Sequence, residues 1–525
     1  MGWLTPLFKR SADAPAPIPA PPPAPDAETV RRRHYTRNAV RSLLQAAQST
    51  RTEASWDKYP TSIDTIIVQN WTTMVARARH GVLENDYAKK YASMVKGNLI
   101  GADGIRLLPQ IQDPNGKPDQ MAGDAIAESW KEFSERGYFD VTGTMSRVEF
   151  EQALAGSCVM HGEYLVEIRY GPQYPHGVAF KMLDPMQLEV THNEVLGNGN
   201  VIRHGIEFNS DWKPVRYWLR EYQGDMIDYA LAMGQKYRVV EASNIIHDFV
   251  KEGFPGQKRG LPWLRTAMWR LRMLKGFEDA ALVNARVGAA KMGLFRSTSD
   301  GAGDDVETEE LPMDCEPGTF ENIGEREFVA WTPQFPEQST ESFSREMKRG
   351  AASGLDVSYN NLASDLTSVN FSSIRQGALD EREAWKNGQG WFIGGFERRA
   401  FNVWLEVGLL AGRITVNGKP LKPERLSKYK RVAFQGRRWA WIDPQAEVAA
   451  YEKAIALRIT SRSQIIRDMG GEPWELWKEI STEEKDMKSV DLDPNAHAQS
   501  NTAAGAAAVA KVQQSQPSTS TIDKK

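Results

Sequence analysis

Helical and strand periodicities alternate in blocks along this chain. Between Ala27 and about Gly101, apolar positions recur at three- and four-residue spacing. Tyr87, Tyr91, Met94 and Val95 share one face there, which predicts helices. The rhythm then shortens. Residues 162–170 (GEYLVEIRY), 178–190 (VAFKMLDPMQLEV), 201–208 (VIRHGIEF) and 215–222 (VRYWLREY) read as strands, the last two joined by the turn-rich NSDWKP. Helical spacing returns at Leu261 in LPWLRTAMWRLRMLKGFEDAALVNARVGAAKMGLF, with Pro262 suited to a first turn and Gly293 near the end. About 30 residues at 1.5 Å each give a rod of roughly 45 Å. FENIGEREFVAWTPQF then reads as short strands, and residues 343–359 as a second helix with Phe343, Met347, Ala351, Leu355 and Tyr359 in four-residue steps. A further helix is expected from Ser373, which stands at capping-box spacing from Gln376, with Asp380 and Glu381 adding charge near its positive end. It runs toward Val407 with a bend at Gly388, Gly390, Gly394 and Gly395, because glycine lowers helix stability by about 1 kcal/mol relative to Ala. DPQAEVAAYEKAIALRI and SRSQIIRDMGGEPWELWKEI predict the last helices. The mixture is an α+β body without internal repeats.

One stretch resists this reading. Residues 364–371 (SDLTSVNF) are polar, Ser- and Asn-rich and nearly without apolar anchors, directly before a long helix. They form either a surface connector or a segment that lines something. Both chain ends differ from the body: DAPAPIPAPPPAP (13–25) is a Pro/Ala spacer expected to be extended, and His497–Lys525 is mostly Ala, Ser, Thr and Gln, so both ends are expected to be disordered.

Composition narrows the classes. With 525 residues, 41% of them hydrophobic, the chain can bury a large core in two or more domains. Lys plus Arg is 65 against 68 Asp plus Glu, a net charge of −3 that signals neither a nucleic-acid nor a membrane-surface binder. Cys158 and Cys315 are far apart and without metal-ligand spacing, so two free thiols in a reducing compartment are expected. No uncharged apolar run approaches the about 20 residues needed to cross a bilayer, and the first residues lack a secretory signal, so a soluble protein without membrane partners is expected.

Candidate chemistry is sparse. No P-loop, GxSxG elbow, HExxH, EF-hand loop or paired CxxC occurs, so no catalytic residue, metal or cofactor is expected. Cys158 and His161 stand at ligand-pair or nucleophile-and-base spacing, and the plainer reading, a helix end entering a strand, is preferred. His192-Asn193-Glu194 resembles the HxE of deaminases without the PCxxC that must follow, and GNGN at 197–200 is a lone turn. GFPGQKRGLPWL (253–264) could offer phosphate contacts at a helix start, but as structure it is a tight strand-to-helix joint with solvated charges. Residues 298–316 hold eight acidic residues and no basic one, either a solvated loop or a surface that repels phosphate.

Five segments then supply context. IIHDFVKEGFPGQKRGLPWLRTAMWRLRMLKGFEDAALVNARVGAA resembles the strand, Gly-Gln-x-Arg-Gly joint and stem helix of the portal proteins of lambda-like tailed bacteriophages. RARHGVLENDYAKKYASMVKGNLIGADGI, MLDPMQLEV with HGIEFNSDWKPVRYWL, SDLTSVNFSSIRQ, and DPQAEVAAYEKAI with SRSQIIRDMGGEPWE follow the family's order over about residues 60 to 480. One departure is Phe371 before the Ser pair, where Tyr is common.

The resemblance implies a portal fold and a non-enzymatic role: a ring of twelve subunits at one capsid vertex, through which DNA is packaged and ejected. It places a disordered segment at 1–26, a wing at 27–260, stem helices at 261–295 and 339–357, and a clip with the acidic insertion at 296–338. A channel loop follows at 358–372, then a kinked helix and wing return at 373–443, crown helices at 444–490 and a disordered tail at 491–525. It also implies that Asn360, Asn361, Ser364, Thr367, Ser368 and Asn370 line the channel, and that Asp304, Asp305, Glu307, Glu309 and Glu310 meet the motor or adaptor. The partners implied are further copies of the chain, the terminase large subunit, head–tail adaptors, major capsid and scaffold proteins, and double-stranded DNA held without sequence preference. The location implied is the virion, after assembly in the host cytoplasm. The small residues 350–354 are expected to allow close approach between neighbouring subunits. The alternatives are a capsid or tail assembly protein without a channel, or a DNA-processing enzyme.

Overall fold

The computed structural model describes residues 60–221, 237–289, 293–297, 326–330, 337–367, 371–439 and 444–489. The chain divides after Ser62, and the described helices and strands all belong to the larger unit, Ile63–Lys525. The Pro/Ala spacer, the acidic residues of 298–316 and the tail lie outside the described residues.

Two helices, Ile63–Glu84 and Asp86–Val95, open the body, and the second is capped by Asn85, whose side chain accepts from the Ala88 amide. Helices Gln120–Phe133 and Arg147–His161 follow, the latter with a complete capping box between Ser146 and Glu149. A three-stranded antiparallel sheet has Glu163–Tyr170 in its centre, with Val178–Leu183 and Ile245–Phe249 on its flanks. A five-stranded antiparallel meander runs from Glu194–Val195 through Val201–Arg203, Ile206–Phe208 and Pro214–Arg220 to Tyr237–Glu241. Residues 201–208 are thus two strands, not the one strand expected. His204 and Gly205 both take positive φ, 54° and 77°, which folds the segment into a two-residue hairpin.

Helices Arg265–Ala289 and Glu337–Gly354 pair, and the backbone between them contributes an antiparallel ladder of Gly293–Ser297 with Arg326–Ala330. The first helix starts at Arg265, after a turn in which the Arg265 amide donates to the Pro262 carbonyl (3.0 Å), so its 25 residues make a rod of about 37 Å, shorter than expected. The second stops at Gly354 instead of continuing to Tyr359. There the Val357 amide donates to the Ala352 carbonyl (3.1 Å) across Asp356, whose φ is 56°. This is a Schellman stop built on Asp where glycine is usual, so the four-residue rhythm carries on past a helix that has already ended.

The long helix is in three pieces: Phe371–Phe392, a π-helical turn Ile393–Glu397, and Arg398–Leu410. It begins two residues before Ser373, and Gln376 donates forward to Asp380 (2.9 Å) instead of closing a capping box. The expected irregularity sits at Gly394 and Gly395, for a specific reason. A side chain on Gly395 would collide with the Asp248 carboxylate and, at 2.6 Å, with the Tyr164 hydroxyl, a pair facing each other across the three-stranded sheet. The π turn also carries Glu397 inward, where it and Glu151 share the buried guanidinium of Arg147. Phe139, Phe150, Phe180, Phe392, Phe396, Phe401 and Trp404 are fully or nearly fully buried around this turn and form the centre of the core. Strand Val432–Gln435 then returns to pair with Arg106–Pro109, and helices Pro444–Ala456, Arg462–Asp468 and Pro473–Ser489 close the described chain.

The small residues 350–354 serve packing within the chain. Ala351 and Ala352 are buried, Gly354 lies against Thr266, and Gly350 leaves room for the Arg270 guanidinium of the paired helix. A bulky substitution at Ala352 would therefore disrupt the fold before any assembly.

Candidate functional site: the polar connector and the joint of the helical pair

The connector between the helical pair and the long helix is less open than the expected loop of 358–372. Residues Tyr359–Ala363 form a short helix anchored by Leu362, which is buried. Its far end is Ser364, exposed and left-handed at φ 53°. Asp365 then organises the turn: it accepts from the Thr367 amide (3.0 Å) and hydroxyl (2.6 Å), and from the Tyr359 hydroxyl (2.7 Å). The Thr367 and Tyr359 hydrogen bonds hold its carboxyl well below the usual range, so it stays ionised. Asp365 is the only charged residue in 358–370.

Of the expected lining residues, Asn360 is half-buried, and Asn361, Ser364 and Thr367 are exposed, while Ser368 and Asn370 lie outside the described residues. Asn361 is committed: its amide donates to Glu381 (2.7 Å), which also accepts from the Ser358 amide (3.3 Å) and, on its other oxygen, from the Trp385 indole (3.2 Å). Glu381 thereby ties the connector to the third turn of the long helix. An acid ten residues inside a helix gives no local sign of this, whereas the Asp-x-Thr turn at 365–367, which the sequence reading missed, has a local side-chain-to-backbone signal that could have found it.

The joint 253–264 is the larger surprise, because its charges are not solvated. Arg259 is fully buried and stacks on Trp71 at 4.4 Å. It donates to Glu163 (2.8 Å), to the Leu188 carbonyl (2.8 Å) and to the Pro185 carbonyl (3.0 Å). Glu163, also fully buried, accepts from the Gly260 amide (2.7 Å) and pairs with His247 (3.2 Å). Lys258 pairs with Asp64 (2.6 Å), and Gln257 donates to the Arg259 carbonyl (2.9 Å). Gly260 in turn presses against Gly162, which is left-handed at φ 83° and ends the helix Arg147–His161. One pentapeptide thus gathers the first helix, the central strand, two turns and the start of the helical pair.

Burial would push the Glu163 carboxyl up, but Arg259 and His247 outweigh it and bring it down to about 2. Its stabilising contribution is therefore full above the ordinary carboxylate pKa of about 4.3 and is lost progressively as pH falls from there to about 2.

His161 behaves differently. Arg79 donates to its Nε2 (2.9 Å), which leaves Nδ1 to donate to the Ser157 carbonyl (3.1 Å). Burial, with Arg79, lowers it to about 4, so the folded state resists a proton that the unfolded chain accepts near pH 6.5. Stability should therefore fall between about pH 6.5 and 4 by up to about 1.4 kcal/mol per pH unit on this group's account. His176, His192 and His204 are lowered by burial too, so His161→Gln is expected to remove one share of the slope; a denaturant titration at pH 7, 5.5 and 4.5 measures it, and an unaltered slope would rule His161 out.

Cys158 is buried with its thiol pushed well up, and His161 points away to Arg79, so the pair at 158 and 161 is a helix end entering a strand. His192 stacks on Tyr237 at 4.4 Å. Among the described residues no three His, Cys, Asp or Glu side chains gather as a metal set, and no helix is long and apolar enough to cross a membrane. The acidic residues Asp304, Asp305, Glu307, Glu309 and Glu310 lie outside the described residues.

Comparison with known proteins finds relatives over most of the chain. The family model described as phage portal protein, lambda family, matches residues 49–389, well over half of the chain. The probable portal protein of Halomonas phage phiHAP-1 is 27% identical over 463 residues, 86% of this chain and 88% of that protein. Portal protein B of Escherichia phage lambda is 23% identical over 433 residues, 74% and 76% of the two chains. Among solved structures, a chain in the neck of an empty gene transfer agent particle superposes with a TM-score of 0.41 at 13% identity, over 80% of this chain and 97% of that one. An HK97-family phage portal protein from Corynebacterium diphtheriae gives 0.32 at 11% identity, over 67% and 96%.

Proposed function

Since the chain belongs to the lambda family of phage portal proteins, which are structural and not enzymatic, we propose that about twelve copies close into a ring at one capsid vertex and form the channel for DNA packaging and ejection. The observation that carries this reading is an uncovered apolar face on the helix Arg265–Ala289. Trp269 is 70% exposed, and Met273 and Val283 stand exposed on the same side. A head-to-tail contact with the next copy would cover that face, and repeating the contact around an axis closes a ring.

The connector supports the bore. With Asp365 as its only charge and hydroxyls and amides around it, 358–370 offers no phosphate-neutralising cation. A basic loop repeated around a ring would grip the duplex, since every neutralised phosphate adds affinity. In this reading the wing, stem, clip and crown follow the boundaries expected above. The acidic insertion meets the terminase large subunit and the head–tail adaptor, and the outer surface meets capsid and scaffold proteins. The chain assembles in the host cytoplasm and ends in the virion.

Negative-stain images and native mass of the purified protein test the reading. A ring of about twelve with a central hole is expected. Trp269→Asp with Met273→Asp should leave a folded chain that does not close, because both side chains face outward. A wild-type chain that stays solitary and without a pore, or one that forms an open lattice, would overturn the reading. Within formed rings, Ser368→Lys with Asn370→Lys should slow packaging severalfold, with relief as salt rises; an unchanged rate would remove the connector from the bore.

A further inference from the structure

At the other end of the long helix the charge pattern reverses. Residues 413–438 hold nine Lys and Arg and one acid, Glu424, in a chain whose total is −3. Within this segment, residues 413–431 form a knob: a hairpin of Thr415–Val416 with Lys419–Pro420 around Asn417 and Gly418, a 3-10 turn Pro423–Arg425 and a short helix Leu426–Tyr429.

Three of the nine cations have internal work. Lys428 pairs with Asp113 (2.8 Å) and Asp119 (2.5 Å), Arg437 donates to Asn98 (3.1 Å) and to the Gly97 carbonyl, and Arg438 lies over Gly470. The other six are Arg413, Lys419, Lys422, Arg425, Lys430 and Arg431. All are exposed except Lys430, which is half-buried, and none has an ion-pair partner among the described residues. Asp113 and Asp119 are already paired with Lys428, and Arg425 acts on Asp119 only beyond ion-pair distance. A helix C-terminus favours nearby cations, which accounts for Arg413 just after Leu410 but reaches only about one turn and not as far as Lys419 to Arg431. Six like charges within 413–431 repel one another, and a polyanion is what relieves them.

The kind of polyanion follows from what accompanies the charges. Single strands are held by exposed aromatic rings on which bases stack, but Tyr429, the knob's aromatic residue, is buried. Cations without rings fit the outside of a duplex, where phosphates lie regularly and sequence is not read. We propose that the knob 413–431 is a second, sequence-independent contact for double-stranded DNA, outside the bore. Its placement rests on the reading of the connector as bore lining. The two are separated by about 40 residues of helix, so they stand up to about 60 Å apart. Duplex in transit passes a connector without cations, and duplex outside the bore meets the knob.

The test uses the purified full-length protein and a labelled duplex of about 30 base pairs, followed by fluorescence anisotropy at about 50 mM and about 200 mM salt. Binding is expected to be indifferent to sequence, with a slope of log affinity on log salt of about −4 to −5 for the four to six phosphates met. The fourfold variant Lys419→Gln, Lys422→Gln, Arg425→Gln, Arg431→Gln is expected to lose about tenfold or more in affinity at low salt, with a slope shallower by about 3 to 4. Absence of duplex binding by the wild type, or equal affinity and slope in the variant, would overturn the proposal. So would tight binding of an acidic polypeptide by a knob that ignores DNA, which would assign the surface to a protein partner. Native mass and images of the same samples separate the two ideas: rings that ignore duplex sink this inference alone, and a wild type without rings sinks the bore and leaves the knob's affinity to stand by itself.

Discussion

Replacing Arg259 by Ala is expected to cost about 3–5 kcal/mol and to leave little soluble protein. The guanidinium is fully buried, and a water entering the space it leaves would bring no charge to balance Glu163. Without it, Glu163 keeps a carboxylate in the core with only the Gly260 amide and His247 beside it, the Leu188 carbonyl loses the guanidinium, and the Pro185 carbonyl is left with the Leu188 amide (3.1 Å). Most of the penalty is the stranded charge, so the double variant Arg259→Met with Glu163→Gln should recover part of the loss. Recovery cannot be complete, because Gln offers His247 and Gly260 a weaker acceptor than a carboxylate. Soluble yield and the midpoint of thermal unfolding read both effects. A single Arg259→Ala chain as stable as wild type would mean that this cluster holds nothing together.

At Gly162 the expected loss is as large, with a steric cause in place of an electrostatic one. A Cβ there would run into the Leu261 backbone, and φ 83° is unfavourable for any L side chain. Backbone cannot swing aside as a side chain can, so the strand and the joint would have to part. Gly162→Val should therefore yield no native protein, and Gly260→Ala, which meets the Gly162 carbonyl and Glu163 Cβ at 2.9 Å, should be severely destabilised. Gly276→Ala is the control. It lies in mid-helix with nothing within 4 Å of the added methyl, so it should be neutral or stabilise by up to about 1 kcal/mol. Protease resistance at a fixed protease dose ranks the three, and equal resistance would refute the crowding argument.

How much of this could be read from the chain depends on how far apart the interacting residues lie. The helical blocks, most strands, the long helix with its irregular middle and the family itself were legible, because each rests on periodicity or on ordered local segments. The GQKRG pentapeptide was recognisable, but its burial was not: Arg259 answers to Glu163, 96 positions earlier, and no local window holds both. The hairpin at His204 and Gly205 and the stop at Asp356 were missed because non-glycine residues took left-handed conformations that the pattern assigns to glycine. The stripe of small residues 350–354 signalled close packing correctly, but not against which helix; Arg270 and Thr266 of the same chain provide the partner. At the connector, the polar composition was readable and the Asp365 turn was missed, while the tether from Asn361 to Glu381 required the helices to be in place.

The pairing of Arg106–Pro109 with Val432–Gln435 also sets a clock on biosynthesis. The two strands lie more than 300 residues apart in the chain, and at about 5–20 residues per second a ribosome needs roughly 15–60 s to deliver the second after the first. During that interval the earlier strand waits with its hydrogen-bonding edge unmatched. Nascent chains of this protein are therefore prone to aggregate until the second strand emerges, and added holdase capacity should raise the yield of native subunits more than any change in refolding buffer.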